Sequence, residues 1–423
     1  MEVGSRHRLG SAKIFFGVLI VVVAAGAQSV GEAPAGFDNT TNGAIGQEAF
    51  DEAMAAFSEV ESAADGLGPV FNADSCVACH LNAGAVGGAS QVSELRAGSI
   101  QYGRHGRFNW RWNREFTPAS VVLPGGDVIE NRSLINQRAI CAEAQSTVPP
   151  GANVVATRLS LSVLGDGFVE AVSDDTFKRI AENQERQTQG KIHGQWVEVA
   201  VLEAQNVTAV GRFGWKSQHA SLLSFSADAY LNEMGITTPL APEEPTKVCQ
   251  PSGMPDPNDD EEDIELFAAF MRATKVPPRD TALAATAAAL AGAQLFNQIG
   301  CATCHVPTMV TAPAGTVVLG GEYAVPEALG NKQFHPFGDF LLHDIGTGDG
   351  ILQHEDQPET AQKMRTMPLW GLRTRPQLMH DGLSPNFEHA LLRHRGEALD
   401  VTRRYYNLTP QQKQSLYTFL RSL

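Results

Sequence analysis

Basic residues are in short supply in this chain. Its 32 Lys and Arg face 47 Asp and Glu, which leaves a net charge of −15 over 423 residues. Such a surface repels phosphate backbones, so nucleic acid is excluded as a partner, whereas a small basic protein would be attracted. Long apolar runs are equally scarce. The one clear run, Ile14 to Ala25, follows Arg6, Arg8 and Lys13 and ends at Ala25-Gly26-Ala27, a small-residue cleavage pattern. It is too short to span a bilayer comfortably. Residues 1–27 are therefore expected to be a signal peptide cleaved after Ala27, with an uncleaved anchor as the weaker alternative. Removing it takes Arg6, Arg8, Lys13 and Glu2 with it and leaves a charge of −17. No other stretch approaches the length of a membrane span, so the mature chain is expected to be soluble and periplasmic. An EF-hand glycine is missing too. Glu261 occupies the sixth position of the acidic run Asp256–Asp263, whose carboxylates read more simply as first-turn charges of a following helix.

Cysteine is also rare, at six residues, and four of the six fall in two pentapeptides, Cys76-Val77-Ala78-Cys79-His80 and Cys301-Ala302-Thr303-Cys304-His305. C-x-x-C-H is the attachment pattern of c-type haem: two thiols add to the porphyrin vinyl groups and the adjoining histidine lies beneath the iron. A zinc site would want four convergent ligands, and a thioredoxin-like site has no need of the histidine. Two covalently bound haem c groups are expected, on Cys76, Cys79 and His80 and on Cys301, Cys304 and His305. Attachment outside the cytoplasm agrees with the leader. Cys141 and Cys249 remain, either joined in a disulfide, which an oxidising compartment favours, or as two unrelated buried thiols.

Periodicity places a helix over Gln47 to Ala63, with Phe50, Met54 and Phe57 on one face. Short strands are expected between Gly84 and Asn153, then a helix over Asp174–Gln184 and a strand over Trp196–Val201. Ile264, Phe267, Phe270 and Met271 mark a further helix ended by Pro277-Pro278. An Ala-rich helix over Thr281–Asn297 leads into the second pentapeptide. Thr409 and Pro410 open a closing helix whose stripe is Leu416, Phe419, Leu420 and Leu423. That order resembles a cytochrome c domain. The expected architecture is mainly α: two cytochrome c-like haem domains, residues 28–280 and 281–423, the first enlarged by loop and short-strand insertions.

Arg365-Thr366-Met367-Pro368-Leu369-Trp370-Gly371-Leu372, His380-Asp381-Gly382 and Glu388-His389-Ala390 resemble the C-terminal half of bacterial di-haem cytochrome c peroxidases. They also resemble related enzymes that oxidise a protein tryptophan cofactor precursor. Gly211–Lys216, Glu233–Thr237, Leu341–Gly346 and His394–Ala398 resemble, more narrowly, the di-haem oxidoreductase family, also labelled thiol oxidoreductases. The resemblance spans roughly residues 45–423. It implies that His394, fourteen residues beyond His380, is the second axial ligand of the haem on His305, where the peroxidases usually carry Met. An imidazole in place of a thioether lowers the reduction potential.

At the N-terminal haem, Arg96 occupies the place of the peroxidases' displaceable histidine. An open distal face is expected there, with His105 as the remaining candidate ligand. Glu233 matches the distal glutamate that moves protons on peroxide. Leu223 replaces a distal glutamine, which points to weaker peroxide activity. Phe213 stands where the peroxidases carry an inter-haem Trp, and Trp215, two residues on, is the candidate relay. An interdomain calcium, which the resemblance would allow, has no support in the sequence.

The expected function is reduction of hydrogen peroxide with electrons from a small cytochrome c or cupredoxin. The alternatives are a di-haem oxidase acting on a protein or thiol, and a non-catalytic electron carrier.

Overall fold

The computed structural model describes residue 1 and residues 30–104, 112–250, 252–255, 257–260 and 262–423. The expected leader, His105 and, through residues 256 and 261, part of the acidic run lie outside the described residues.

Helix Gln47–Ser58 packs on helix Glu262–Ala273 through Phe50, Phe57, Phe267 and Phe270, with Phe57 and Phe270 centroids 4.7 Å apart. The first helix stops five residues before the expected Ala63. Ser58 turns its hydroxyl back onto the Met54 carbonyl at 2.7 Å, and Glu59 is extended. The Asp174 helix instead runs on to Thr188, and the strand expected over Trp196–Val201 is Glu198–Ala200, paired with Thr208–Val210. The Ala-rich segment is two helices, Thr281–Ala284 and Ala287–Ile299, because Thr286 takes the Ala289 N–H and starts a new helix. Helix Pro410–Arg421 opens with a capping box between Thr409 and Gln412. Its inward stripe is buried, with Leu416 at 0% and Phe419 at 2% exposure; each such side chain contributes roughly 1.5–3 kcal/mol. Gly292 lets this helix approach closely, since a Cβ there would collide with the Ser415 carbonyl.

The chain is not mainly α. Helix accounts for 33% and strand for 17% of it, and the strands form eight separate sheets among the described residues. Instead of a few short strands, the region after the first pentapeptide holds the twelve-residue strand Ser93–Arg104. Antiparallel partners Trp112–Pro118 and Val154–Leu159 flank it, and Leu134–Ile135 adds to the same sheet. Alternation of polar and apolar residues at the pleat period stabilises this ribbon, and a helical template underestimates it. The remaining sheets are mostly two-residue ladders that pin loops together, such as Leu342–His343 on Met364–Arg365.

One hydrophobic cluster crosses residue 280. It joins Phe57, Phe168 and Phe270 to Phe334, Phe340 and Trp370, and Gly31–Glu32 pairs in parallel with Lys332–Phe334. A second cluster gathers Phe296, Tyr405, Leu416, Phe419 and Leu420. Cys141 and Cys249 are disulfide-bonded with Cα atoms 6.4 Å apart, across a sequence separation of 108. No helix among the described residues is long and apolar enough to cross a membrane.

Candidate functional site

The two pentapeptides fold alike. Each begins as a single 3-10 turn, Cys76–Ala78 or Cys301–Thr303, and the histidine N–H closes back on the first cysteine carbonyl at 2.9 and 3.0 Å. Both cysteines and the histidine of each motif therefore line one cavity. Cys76, Cys79 and His80 line the first cavity; Cys301, Cys304 and His305 line the second. Burial pushes the thiols of Cys76, Cys79 and Cys301 up to about 12.

Three imidazoles share one arrangement. Nδ1 of His80 lies 2.7 Å from the Leu161 carbonyl, that of His305 3.0 Å from Phe337 O, and that of His394 2.8 Å from Ala390 O. A carbonyl only accepts, so in each ring Nδ1 carries the proton and Nε2 keeps its lone pair, the form that ligates a metal. Burial lowers all three, His80 and His305 to about 4, so they are neutral near pH 7. His394 ends helix Phe387–Arg393, which Asn386 caps, and it lines the same cavity as His305.

The linings fit a porphyrin, a flat apolar ring with two carboxylates on one edge. Both cavities are mainly apolar, and each is lined by a polar side chain with a buried hydrogen-bonding atom left unpaired. In the first, Arg158 leaves Nη2 buried and unpaired. In the second, the Thr347 hydroxyl is buried and unpaired, and desolvation brings the Arg375 guanidinium down to about 10 with no ion pair among the described residues. Such groups suit propionates.

Glu233 lines the first cavity, on a π-helical turn, Tyr230–Met234, that continues helix Leu222–Ala229. π-turns recur at functional sites because they re-aim a side chain by one position. Gly235 follows with φ +75, and a Cβ there would stand 2.7 Å from the Gly68 carbonyl, so only glycine lets residues 68–73 dock. That docking brings the Asn72 amide to donate to Glu233 Oε2 at 2.6 Å. Burial and the charge of Glu94 push the Glu233 carboxyl up to about 7, while Asn72 and Arg96 oppose them. Among the described residues His80 is the one histidine lining this cavity; the thioethers of Met234 and Met271 line it as well.

Sequence reasoning missed Glu94, Arg158 and Gln218. Glu94 and Arg96 sit two residues apart on one face of a strand, a same-face spacing that was legible once the strand was recognised. Position 223 does not line the cavity, but Gln218 does, five residues earlier. Arg96, where the peroxidases have a histidine, is paired with Glu94 through two 2.8 Å contacts.

Trp215 lines both cavities and is 7% exposed. Its indole N–H donates to Leu159 O at 2.7 Å, and its ring meets His380 edge-on at 6.0 Å. Phe213 stacks on Phe225 and lines neither cavity.

Among solved structures the chain is similar to hydrazine synthase of Kuenenia stuttgartiensis, pressurised with xenon, at 13% identity and a TM-score of 0.41 over 100% of this chain and 99% of that one. A MauG-like protein associated with microbial copper homeostasis gives 13% identity and 0.41 over 94% and 93%. Both similarities are too distant to carry function across. No curated protein matches the chain. The family model described as "Di-haem oxidoreductase, putative peroxidase" matches residues 142–423, two-thirds of the sequence. With that match, the chain is a member of the di-haem oxidoreductase family.

Proposed function

We propose that this di-haem oxidoreductase is a periplasmic peroxidase with both haems attached covalently, carrying out H2O2 + 2 e⁻ + 2 H⁺ → 2 H2O. Cys76, Cys79 and His80 would hold the first haem; Cys301, Cys304, His305 and His394 would hold the second. Haem iron, when bound, would supply peroxide activation in the first cavity and electron storage in the second. The observation that carries the reading is an asymmetry: of the four histidines lining the second cavity two, His305 and His394, have Nδ1 tied to a backbone carbonyl and Nε2 free, whereas the first cavity has one such imidazole, His80, beside a buried acid. In its ionised form Glu233 takes a proton from one peroxide oxygen and then gives it to the departing one. Its pKa near 7 keeps both forms within reach at neutral pH. Gln218 is placed to supply the amide that position 223 lacks. Trp215, shared by both cavities, passes electrons between them. A basic cytochrome c or cupredoxin docks on the acidic surface as donor.

Electron paramagnetic resonance of the resting protein tests this: one high-spin and one low-spin ferric haem are expected. Two low-spin haems, with Met234 or Met271 completing the first, would make the protein an electron carrier instead. Turnover of peroxide that needs reduced donor separates a peroxidase from an oxidase of a protein or thiol. Glu233→Gln, with haem content intact, should lower turnover about 10²-fold or more.

A further inference from the structure

Glu233 shares its cavity with a second acid. Glu94, on strand Ser93–Arg104, lines the same cavity, its carboxyl set against that of Glu233. Two carboxylates have only acceptors between them, so this contact requires one proton on the pair. The surroundings decide which acid holds it. Arg96 grips Glu94 with Nε and Nη2, each at 2.8 Å, and Arg158 Nη1 stands 3.7 Å away. Glu233 receives one neutral amide, from Asn72, and no ion pair to it is formed among the described residues. The other titratable groups lining the cavity are Cys76, Cys79, His80, Asp228 and Tyr230; Asp228 is occupied by His219 and Asn232, and the Tyr230 hydroxyl donates to Asp263 at 3.0 Å. Arg158 is in turn fixed at 2.6 Å by Asp349, which Lys216 contacts at 2.9 Å.

We propose that Glu94 and Glu233 form a dyad with one shared proton, in which Glu94, held as the anion by Arg96 and Arg158, is a positioning residue that keeps the proton on Glu233. The cavity thus keeps a proton donor at neutral pH although two arginines lie within it. Burial tends to raise Glu94, and the two guanidiniums overcome that; burial and the Glu94 charge both raise Glu233. Arg96 is in this view the anchor of the acid pair. The inference rests on Glu233 being the proton-handling group, but it concerns where the proton sits before any turnover.

The test is pH-difference infrared spectroscopy of the haem-loaded protein, following the carboxylic C=O stretch. Burial also raises Glu61 and Asp166 to about 7, so the wild type should show several neutral-range bands, one of which Glu233→Gln should abolish. Glu94→Gln removes the anion and leaves Arg96 and Arg158 facing Glu233, so the midpoint should fall by about one pH unit or more. Glu94→Asp, which keeps the charge on a shorter stem, should restore part of the shift, and it serves if the glutamine variant does not fold. A wild-type protein with no neutral-range carboxylic band that Glu233→Gln removes, or a midpoint of that band unmoved by either Glu94 change, overturns the dyad. A band that moves as expected in a protein without peroxide turnover keeps the dyad and removes the peroxidase. Normal turnover with an unmoved band does the reverse.

Discussion

At the scale of single residues, chemistry is divided by what each side chain is allowed to keep. His80, His305 and His394 spend Nδ1 on a carbonyl and keep Nε2. Arg96 spends its guanidinium on Glu94, which leaves Glu233 without a cation of its own. Two outcomes belong here. His394→Met should raise the reduction potential of the C-terminal haem, because thioether ligation favours ferrous iron; redox titration followed by absorbance checks it, and an unchanged potential removes His394 as a ligand. Asp349→Asn should destabilise the fold by roughly 3–5 kcal/mol, because it strands Lys216 and Arg158 as buried cations; urea unfolding measures this. Although burial raises the Asp349 carboxyl, Arg158 and Lys216 hold it well below the usual carboxylate range. Its stabilisation is therefore full above the ordinary carboxylate pKa of about 4 and is lost as pH falls through the lower folded value. The acid limb of unfolding should accordingly be shallower in Asp349→Asn.

At the scale of elements, the site depends on backbone docking as much as on side chains. Residues 68–73 sit on the π-turn because Gly235 has no Cβ, with Asn72 N–H bonded to Glu233 O at 2.7 Å. Gly235→Ala should cost about 1–3 kcal/mol through the φ and the clash, and should lower peroxide turnover by displacing Asn72 from Glu233. Equal turnover with a native melting point would show that the docking tolerates a methyl group. The Cys141–Cys249 bond, across 108 residues, ties the region after the long ribbon to the loop that precedes helix Glu262–Ala273. Replacing both cysteines by serine should cost roughly 4 kcal/mol and lower the denaturant midpoint.

At the scale of the whole molecule, the cavities meet at Trp215, while one hydrophobic cluster joins the two halves of the chain. Trp215→Phe keeps the bulk and removes the indole, so electron transfer between the haems should slow while both haem spectra persist. Flash reduction followed at the two haems reads that rate, and an unchanged rate makes Trp215 core and nothing more. The acidic surface makes a further demand: with a basic donor, the KM for donor should rise with ionic strength, because screening weakens long-range attraction.

Local sequence determined the two pentapeptides, the capping box at Thr409 and the buried stripe of the last helix, because each rests on residues within a few positions of one another. That His394 lines the cavity of His305 was reachable only through the family resemblance, since nothing local joins residues 89 positions apart. The strand content exceeded the reading because antiparallel ladders are fixed by partners distant in sequence, and a haem motif directs attention to helices. Tertiary structure alone set Glu94 against Glu233, put Gln218 in the cavity in place of position 223, and chose Trp215 over Phe213 as the aromatic between the cavities. Those choices depend on which way a side chain points after the chain has closed on itself, a property that spacing along one strand or helix does not contain.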